Sequence, residues 1–346
     1  MPETANFDSN PACATNRIRE TSKLMQLINR LGVYVVVAVL LIIGLIVSPT
    51  KFLSFENIRN TLQSVSLMGM VAVGMSFVVY SANFCDLSAP MIIAFSGMVN
   101  ISCIKLGFVP ALLIGVFAGT ILGSVNGFVI GKLKAHPVIW TMAFNFVLSG
   151  IVRWIYMGSQ IYPDVIAPDS KAVDMFYNLS RASIPLGSFS LSWMAIVMLV
   201  MILLGQVILR RTKFGNQLKI VGSNYEAARL SGINVTRIIL IVFMIAAFCF
   251  ALTGIFFASI SKMGAYYNGE GYDFKAVTAV LLGGMTLTGG KGDMIGTFGG
   301  ALTMGMLTNI MNLIGVSTFE QYMVLGVAFL IIVWITTASD RKLGKS

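Results

Sequence analysis

Residues 210–237 read RRTKFGNQLKIVGSNYEAARLSGINVTR, a polar run set between two apolar stretches. Ser223 to Glu226 fits the capping box S-x-x-E, in which Ser223 accepts from the amide three residues on and Glu226 reaches back. Ala227, Ala228, Arg229 and Leu230 favour helix, and Gly232 stands where a helix closes with a left-handed residue. The spacing predicts a helix of about two turns. Six Lys/Arg face one acid, Glu226. An ordinary loop obeying a membrane's charge bias would carry such charges. Its defined ends favour a docking element for a soluble partner.

The flanks decide the fold class. The chain of 346 residues is 56% hydrophobic and 11% charged, with a mean hydropathy of +0.84. Soluble domains carry about 25% charged residues, and several apolar runs here approach the ~20 residues that cross a bilayer. The expectation is an all-α, polytopic membrane protein. The net charge of +10 collects in a few inter-helix segments, as the positive-inside rule requires, so nucleic acid is not an expected partner. Cys13, Cys85, Cys103 and Cys249 form no C-x-x-C pair, and His136 stands alone, so no metal site is expected. The polar start lacks the apolar core of a signal peptide.

Ten spans are expected, near 33–47, 62–81, 87–104, 108–130, 137–157, 189–209, 238–260, 274–287, 295–314 and 322–337. The basic segments then fall on one side, which makes it the cytoplasm. The layout is a cytoplasmic tail over 1–30, a transmembrane domain over 31–338 and a cytoplasmic tail over 339–346. Within the domain, 210–237 is cytoplasmic and 158–187 lies outside, with Asp164, Asp169 and Asp174 against Lys171 and Arg181.

Asp86–Met98 aligns without gaps on Asp273–Met285, with Asp, Ala, Gly and Met coinciding. Five spans separate the copies, which would make an inverted repeat of two five-helix halves, a transporter feature. Four matches in thirteen is also within chance for a Gly- and Met-rich chain. Glycines at 115, 119, 123, 127 and 131 make a smooth stripe that favours close helix packing over a pore face.

Polar residues in or beside spans are the candidates for a translocation pathway, because ionisable groups in a bilayer are costly. They are Asn83, Asp86, Ser88, Asn126, Asn145 and Asn309. Asp86 serves equally well as a cap for the third span, and Asn126, Asn145 and Asn309 read somewhat better as inter-helix glue than as a polar route. The P-loop pattern is missing: GGMTLTGGKGDM at 283–294 has Met285 where its first glycine belongs. No catalytic pairing is found, so this chain is not expected to be an enzyme or to bind a cofactor. ATP-Mg, if used, belongs to another polypeptide.

The 214–237 stretch resembles the cytoplasmic loop of ribose/arabinose/galactose-type ABC-transporter permeases, through Phe214, Gly215, Gly222, Asn224, Ala227, Ala228, Leu230, Gly232, Ile233 and Val235. GYDFKAVTAVLLGGMTLTGGKGDMIGTFGGAL, 271–302, resembles a second block of that family, and Asp86-Leu87-Ser88 its DLS triplet. The resemblance implies the inner-membrane permease subunit of a sugar importer, with a cytoplasmic ABC ATPase, a periplasmic sugar-binding protein and a second permease copy, identical or paralogous. It assigns coupling to the ATPase to Phe214, Gly215, Gly222, Ser223, Asn224, Glu226, Ala227, Ala228, Arg229 and Gly232. Two other readings stay open: an ion-coupled secondary carrier, with Asp86 as its coupling group, and an ABC permease for a non-sugar solute.

Overall fold

A computed structural model describes residues 32–186 and 189–342. The tail over 1–30, with Cys13, and the last four residues lie outside the described residues. Helices follow in the order α1 Gly32–Val47, α2 Pro49–Phe52, α3 Phe55–Tyr80, α4 Ala89–Ser102, a 3-10 turn Ile104–Leu106, α5 Phe108–Leu133 and α6 Pro137–Ile155. Next come α7 Pro163–Ile166, α8 Lys171–Arg181, strands β1 Ser183–Leu186 and β2 Phe189–Ser192, and α9 Trp193–Arg211. The chain ends with α10 Lys213–Ser223, α11 Tyr225–Leu230, α12 Val235–Ser261, α13 Tyr272–Leu282, α14 Met294–Leu313 and α15 Thr318–Lys342.

Each expected span falls on one of these helices. Among the described residues six helices, α3, α5, α6, α9, α12 and α14, are long and apolar enough to cross a membrane. Gly32–Val47, Ala89–Ser102 and Thr318–Ile331 are shorter apolar helices, and α13 has eleven residues. Two boundaries differ from expectation. Ser54 caps α3 by accepting from the Asn57 amide at 3.2 Å, so that helix starts two turns before Leu62. The sixth span starts at Trp193 rather than Phe189, because Ser183–Leu186 and Phe189–Ser192 pair as antiparallel strands, Ser183 opposite Ser192. Among the described residues this strand pair is the small exception to an all-helical architecture.

The centre of the bundle is α3. Every residue from Val65 to Tyr80 is buried, and a helix apolar all round belongs inside. Beside it α5 and α12 pack face to face along the glycine stripe. A β-carbon at Gly123 would lie 2.2 Å from the Ala247 β-carbon, and one at Gly127 would lie 2.7 Å from the Leu240 α-carbon. The stripe is therefore a packing surface, as the spacing favours. In lipid, where apolar burial gives little drive, such close backbone contact supplies the attraction.

Pairing along α12 also fixes the two ends of the bundle. Gly131 meets Thr236 beside the 213–235 region, and Gly115 meets Ile255 toward the other end. With 27 residues, α12 separates these ends by about 40 Å. Two non-helical segments enter the bundle from opposite ends, 81–88 ahead of α4 and 262–271 ahead of α13. The second of them packs on the first turn of α4: a β-carbon on Gly269 would sit 2.1 Å from the Pro90 carbonyl oxygen.

Candidate functional site

The 210–237 stretch folds as two helices rather than one. Thr212 starts α10 by accepting from the Gly215 amide at 3.0 Å. Leu218, Val221 and Gly222, spaced three and four apart, bury one face of that helix. The cap of α11 differs from the expected capping box. Ser223 is the last residue of α10, and Asn224 caps α11 by accepting from the Ala227 amide at 2.9 Å. The physical reason is phase: α10 runs through Ser223, so the first extended residue is Asn224, at φ −161°. Glu226 lies 3.9 Å from Arg229 in an exposed pair. The expected stop holds. Gly232 is left-handed at φ +77°, and the Ile233 amide reaches back to the Ala228 carbonyl at 3.1 Å, a Schellman-type closure.

On α11 only Ala228 is buried. Leu230, outside the candidate set, is 87% exposed. It is a bare leucine on a well-capped helix whose other residues, Ala228 apart, are not buried. A lone apolar residue on a polar face is the signal that would have found it.

The element is not loosely tethered. A β-carbon on Gly222 would lie 2.1 Å from the Tyr80 carbonyl oxygen, and the Gly290 amide donates to that same oxygen at 2.9 Å. The end of α10, the end of α3 and the 283–293 turn thus share one contact. Four glycines of that turn, at 284, 289, 290 and 292, have positive φ, which makes it a tight turn. Arg210 pairs with buried Asp293 at 3.1 Å, and Asp293 caps α14 through the Gly296 amide at 2.7 Å. A cleft of about 510 Å³ opens here, lined by Arg210, Lys219 and Lys291 among others. The glycines at 222 and 290 are visible in the sequence, but the backbone groups they pack on are not.

Behind Tyr80 the chain makes the 81–88 turn. Ala82 and Phe84 both adopt positive φ, 62° and 61°, which non-glycine residues hold only when their surroundings fix them. Asn83 donates to the Ser81 hydroxyl at 2.6 Å, so it braces this turn. Asp86 is wholly buried. Its Oδ1 accepts from the Ser88 amide at 2.9 Å and the Ser88 hydroxyl at 2.5 Å, and its Oδ2 has no partner among the described residues. Asn126 donates to the Ser88 hydroxyl at 2.8 Å and accepts from the Trp140 indole at 2.9 Å. The Leu87 amide donates to the Thr141 hydroxyl at 3.1 Å.

The structure thus brings together Asn83, Asp86, Ser88 and Asn126, with Trp140 and Thr141 as partners not foreseen. Asn309 is elsewhere, in a reciprocal amide pair with Asn57 at 2.8 and 3.2 Å that joins α14 to α3. Asn145 is half-buried on α6, and its Oδ1 is buried without a partner among the described residues.

The chain is similar to known permeases over most of its length. It is 34% identical to the ribose import permease protein RbsC of Bacillus subtilis over 90% of this chain and 93% of that one. It is 35% identical to the L-arabinose transport system permease protein AraH of Escherichia coli over 86% and 88%. The L-arabinose ABC transporter permease protein AraH of Azospirillum brasilense is 34% identical over 91% and 90%. No solved structure matches the chain. Residues 57–333 match the family described as branched-chain amino acid transport system / permease component, so this chain belongs to that family of transport permeases.

Proposed function

We infer that this chain is the membrane-spanning permease subunit of an ATP-binding-cassette importer for a monosaccharide. The observation that carries the reading is α11: a capped helix held outside the bundle, with Leu230 bare, and clamped through Gly222 to the end of α3. A soluble ATPase that grips α11 moves α10, and α10 bears on Tyr80 and the 81–88 turn. ATP-Mg is bound and hydrolysed on that separate subunit.

The sugar assignment draws on the ribose and arabinose permeases, similar over most of their length. The family description itself names branched-chain amino acids, so leucine is the competing solute. A binding protein delivers the sugar from outside, and two copies of this chain, or this chain and a paralogue, complete the pathway. The α11 end is then cytoplasmic, with both termini, in a bacterial inner membrane. The membrane domain is 31–338, with coupling loop 210–237 and outer loop 158–187. Entry of the 81–88 and 262–271 segments from opposite ends of the bundle, each leading into a short helix, supports ten spans in two inverted halves. Among the polar candidates, Asn145 fits a pathway position, while Asn83, Asp86, Ser88 and Asn126 transmit the movement of α10.

The test is uptake of labelled ribose and arabinose by vesicles holding the permease, its ATPase and its binding protein. Uptake that needs ATP and resists a protonophore supports the reading; protonophore-sensitive uptake without ATP establishes the secondary carrier instead. Leu230→Glu abolishes ATP-driven uptake but leaves the folded bundle intact, since an exposed position away from packing changes stability by about 0.5 kcal/mol or less.

A further inference from the structure

At the end of the bundle opposite α11, two loops are stitched together. Ile161 and Gly264 exchange backbone hydrogen bonds at 2.9 Å in both directions. Around this bridge stands a polarised chain of side chains. The Tyr162 hydroxyl donates to the Gln160 carbonyl oxygen at 2.6 Å, and the Gln160 amide donates to the Tyr267 hydroxyl oxygen. The direction of these bonds leaves the Tyr267 O–H and the second Gln160 N–H to act as donors outward. Tyr266 stands edge-on to Tyr267, with ring centroids 5.2 Å apart. The Arg153 guanidinium lies 4.5 Å from the Tyr266 ring centre.

These groups are set in place and yet open. Tyr267 is 37% exposed and Tyr162 43% exposed, and Gln160 and Arg153 are exposed. A latch between two loops would require only the Ile161–Gly264 bridge. The surplus is an aromatic face flanked by a planar amide, a guanidinium and a phenol. A sugar ring asks for that combination: its C–H face lies on the negative face of an aromatic ring, and its vicinal hydroxyls pair with planar donors and acceptors.

We propose that Arg153, Gln160, Tyr162, Tyr266 and Tyr267 form an entry subsite that receives a pentose-sized sugar before it passes into the membrane. This rests on the sugar-import reading above and adds to it a place and a set of residues. Holding the sugar beside Tyr267 and Arg153 puts it at the outer end of the 262–271 segment, whose Gly269 packs on Pro90 at the start of α4.

The experiment is saturation-transfer NMR on the full-length chain with its ATPase in lipid nanodiscs, without binding protein, probed in turn with D-ribose, L-arabinose and L-leucine. The expected result is ring-proton signal from a pentose and none from leucine. Tyr267→Ala and Gln160→Ala weaken the pentose affinity about fivefold, and Tyr267→Phe, which keeps the ring and its packing, gives an intermediate loss. Pentose signals unchanged in all three variants overturn the subsite and leave the importer reading standing. Signal from leucine alone, lost in Tyr267→Ala, overturns the sugar reading itself. Loss confined to a Tyr267→Ala protein with a lowered melting temperature, with Tyr267→Phe and Gln160→Ala binding like the wild type, also overturns the proposal.

Discussion

The α-carbon of Gly222 packs so closely on the Tyr80 carbonyl oxygen that a β-carbon there would come within 2.1 Å of it. The oxygen cannot yield freely, because the Gly290 amide holds it at 2.9 Å from the other side. Gly222→Ala must therefore push α10 off the end of α3, at a cost of about 1–3 kcal/mol for overpacking. Because α11 itself is untouched, the ATPase still binds. Transport-stimulated ATP hydrolysis in the reconstituted complex falls about tenfold, the rate change that about 1.4 kcal/mol of lost coupling produces. Hydrolysis and uptake equal to wild type would show that this contact transmits nothing.

The cap of α11 gives a second, separate prediction. Asn224 accepts from the Ala227 amide, and Ser223 makes no such bond. Asn224→Ala destabilises the helix by about 1 kcal/mol. Ser223→Ala changes it by less than about 0.5 kcal/mol. Hydrogen exchange at the Ala227 and Ala228 amides reads the difference directly: faster in the Asn224 variant, unchanged in the Ser223 variant. The reverse order would restore the capping box that the sequence suggests.

That exchange of caps shows where sequence reading stops. The span positions are legible because about twenty apolar residues between polar breaks have one physical meaning. The Gly115–Gly131 stripe is legible because its four-residue period keeps it on one face. Gly232 is legible because few residues tolerate a left-handed close. Asn224 was misassigned because Ser223 and Asn224 are both good caps, and only the length of α10 decides between them. The roles of Asn126 and Asn309 depend on partners 38 and 252 residues away. The Tyr80–Gly290 contact is between backbone atoms, so neither side chain announces its partner.

The buried cluster around Ser88 answers to the cost of unpaired polar groups. Asn126 satisfies both the Ser88 hydroxyl and the Trp140 indole. Asn126→Leu leaves the buried Ser88 hydroxyl and the half-buried Trp140 indole with one partner fewer each, at about 1–3 kcal/mol for the first and less for the second. Thermal unfolding in lipid followed by tryptophan fluorescence should show a clear fall in the midpoint. Asp86→Asn keeps an oxygen to accept from the Ser88 amide and hydroxyl, and its loss should be smaller than that of Asp86→Ala, which removes both bonds. Equal midpoints for all three variants would mean that the network does not hold the 81–88 turn.

Two glycines on neighbouring helices set opposite expectations for the same substitution. At Gly123 a β-carbon would meet the Ala247 β-carbon at 2.2 Å and the Phe243 carbonyl oxygen at 2.5 Å, so Gly123→Ala must part α5 from α12. At Gly150 on α6 a β-carbon would find nothing within 4 Å. There the only effect is that of alanine over glycine in a helix, a gain of about 0.4–1 kcal/mol. The Gly123 variant should lose about 1–3 kcal/mol. Thermal midpoints in nanodiscs should therefore move in opposite directions, down for Gly123→Ala and level or up for Gly150→Ala. A Gly123 variant as stable as wild type would mean that the seam can widen without loss, and that the stripe has some purpose other than close packing.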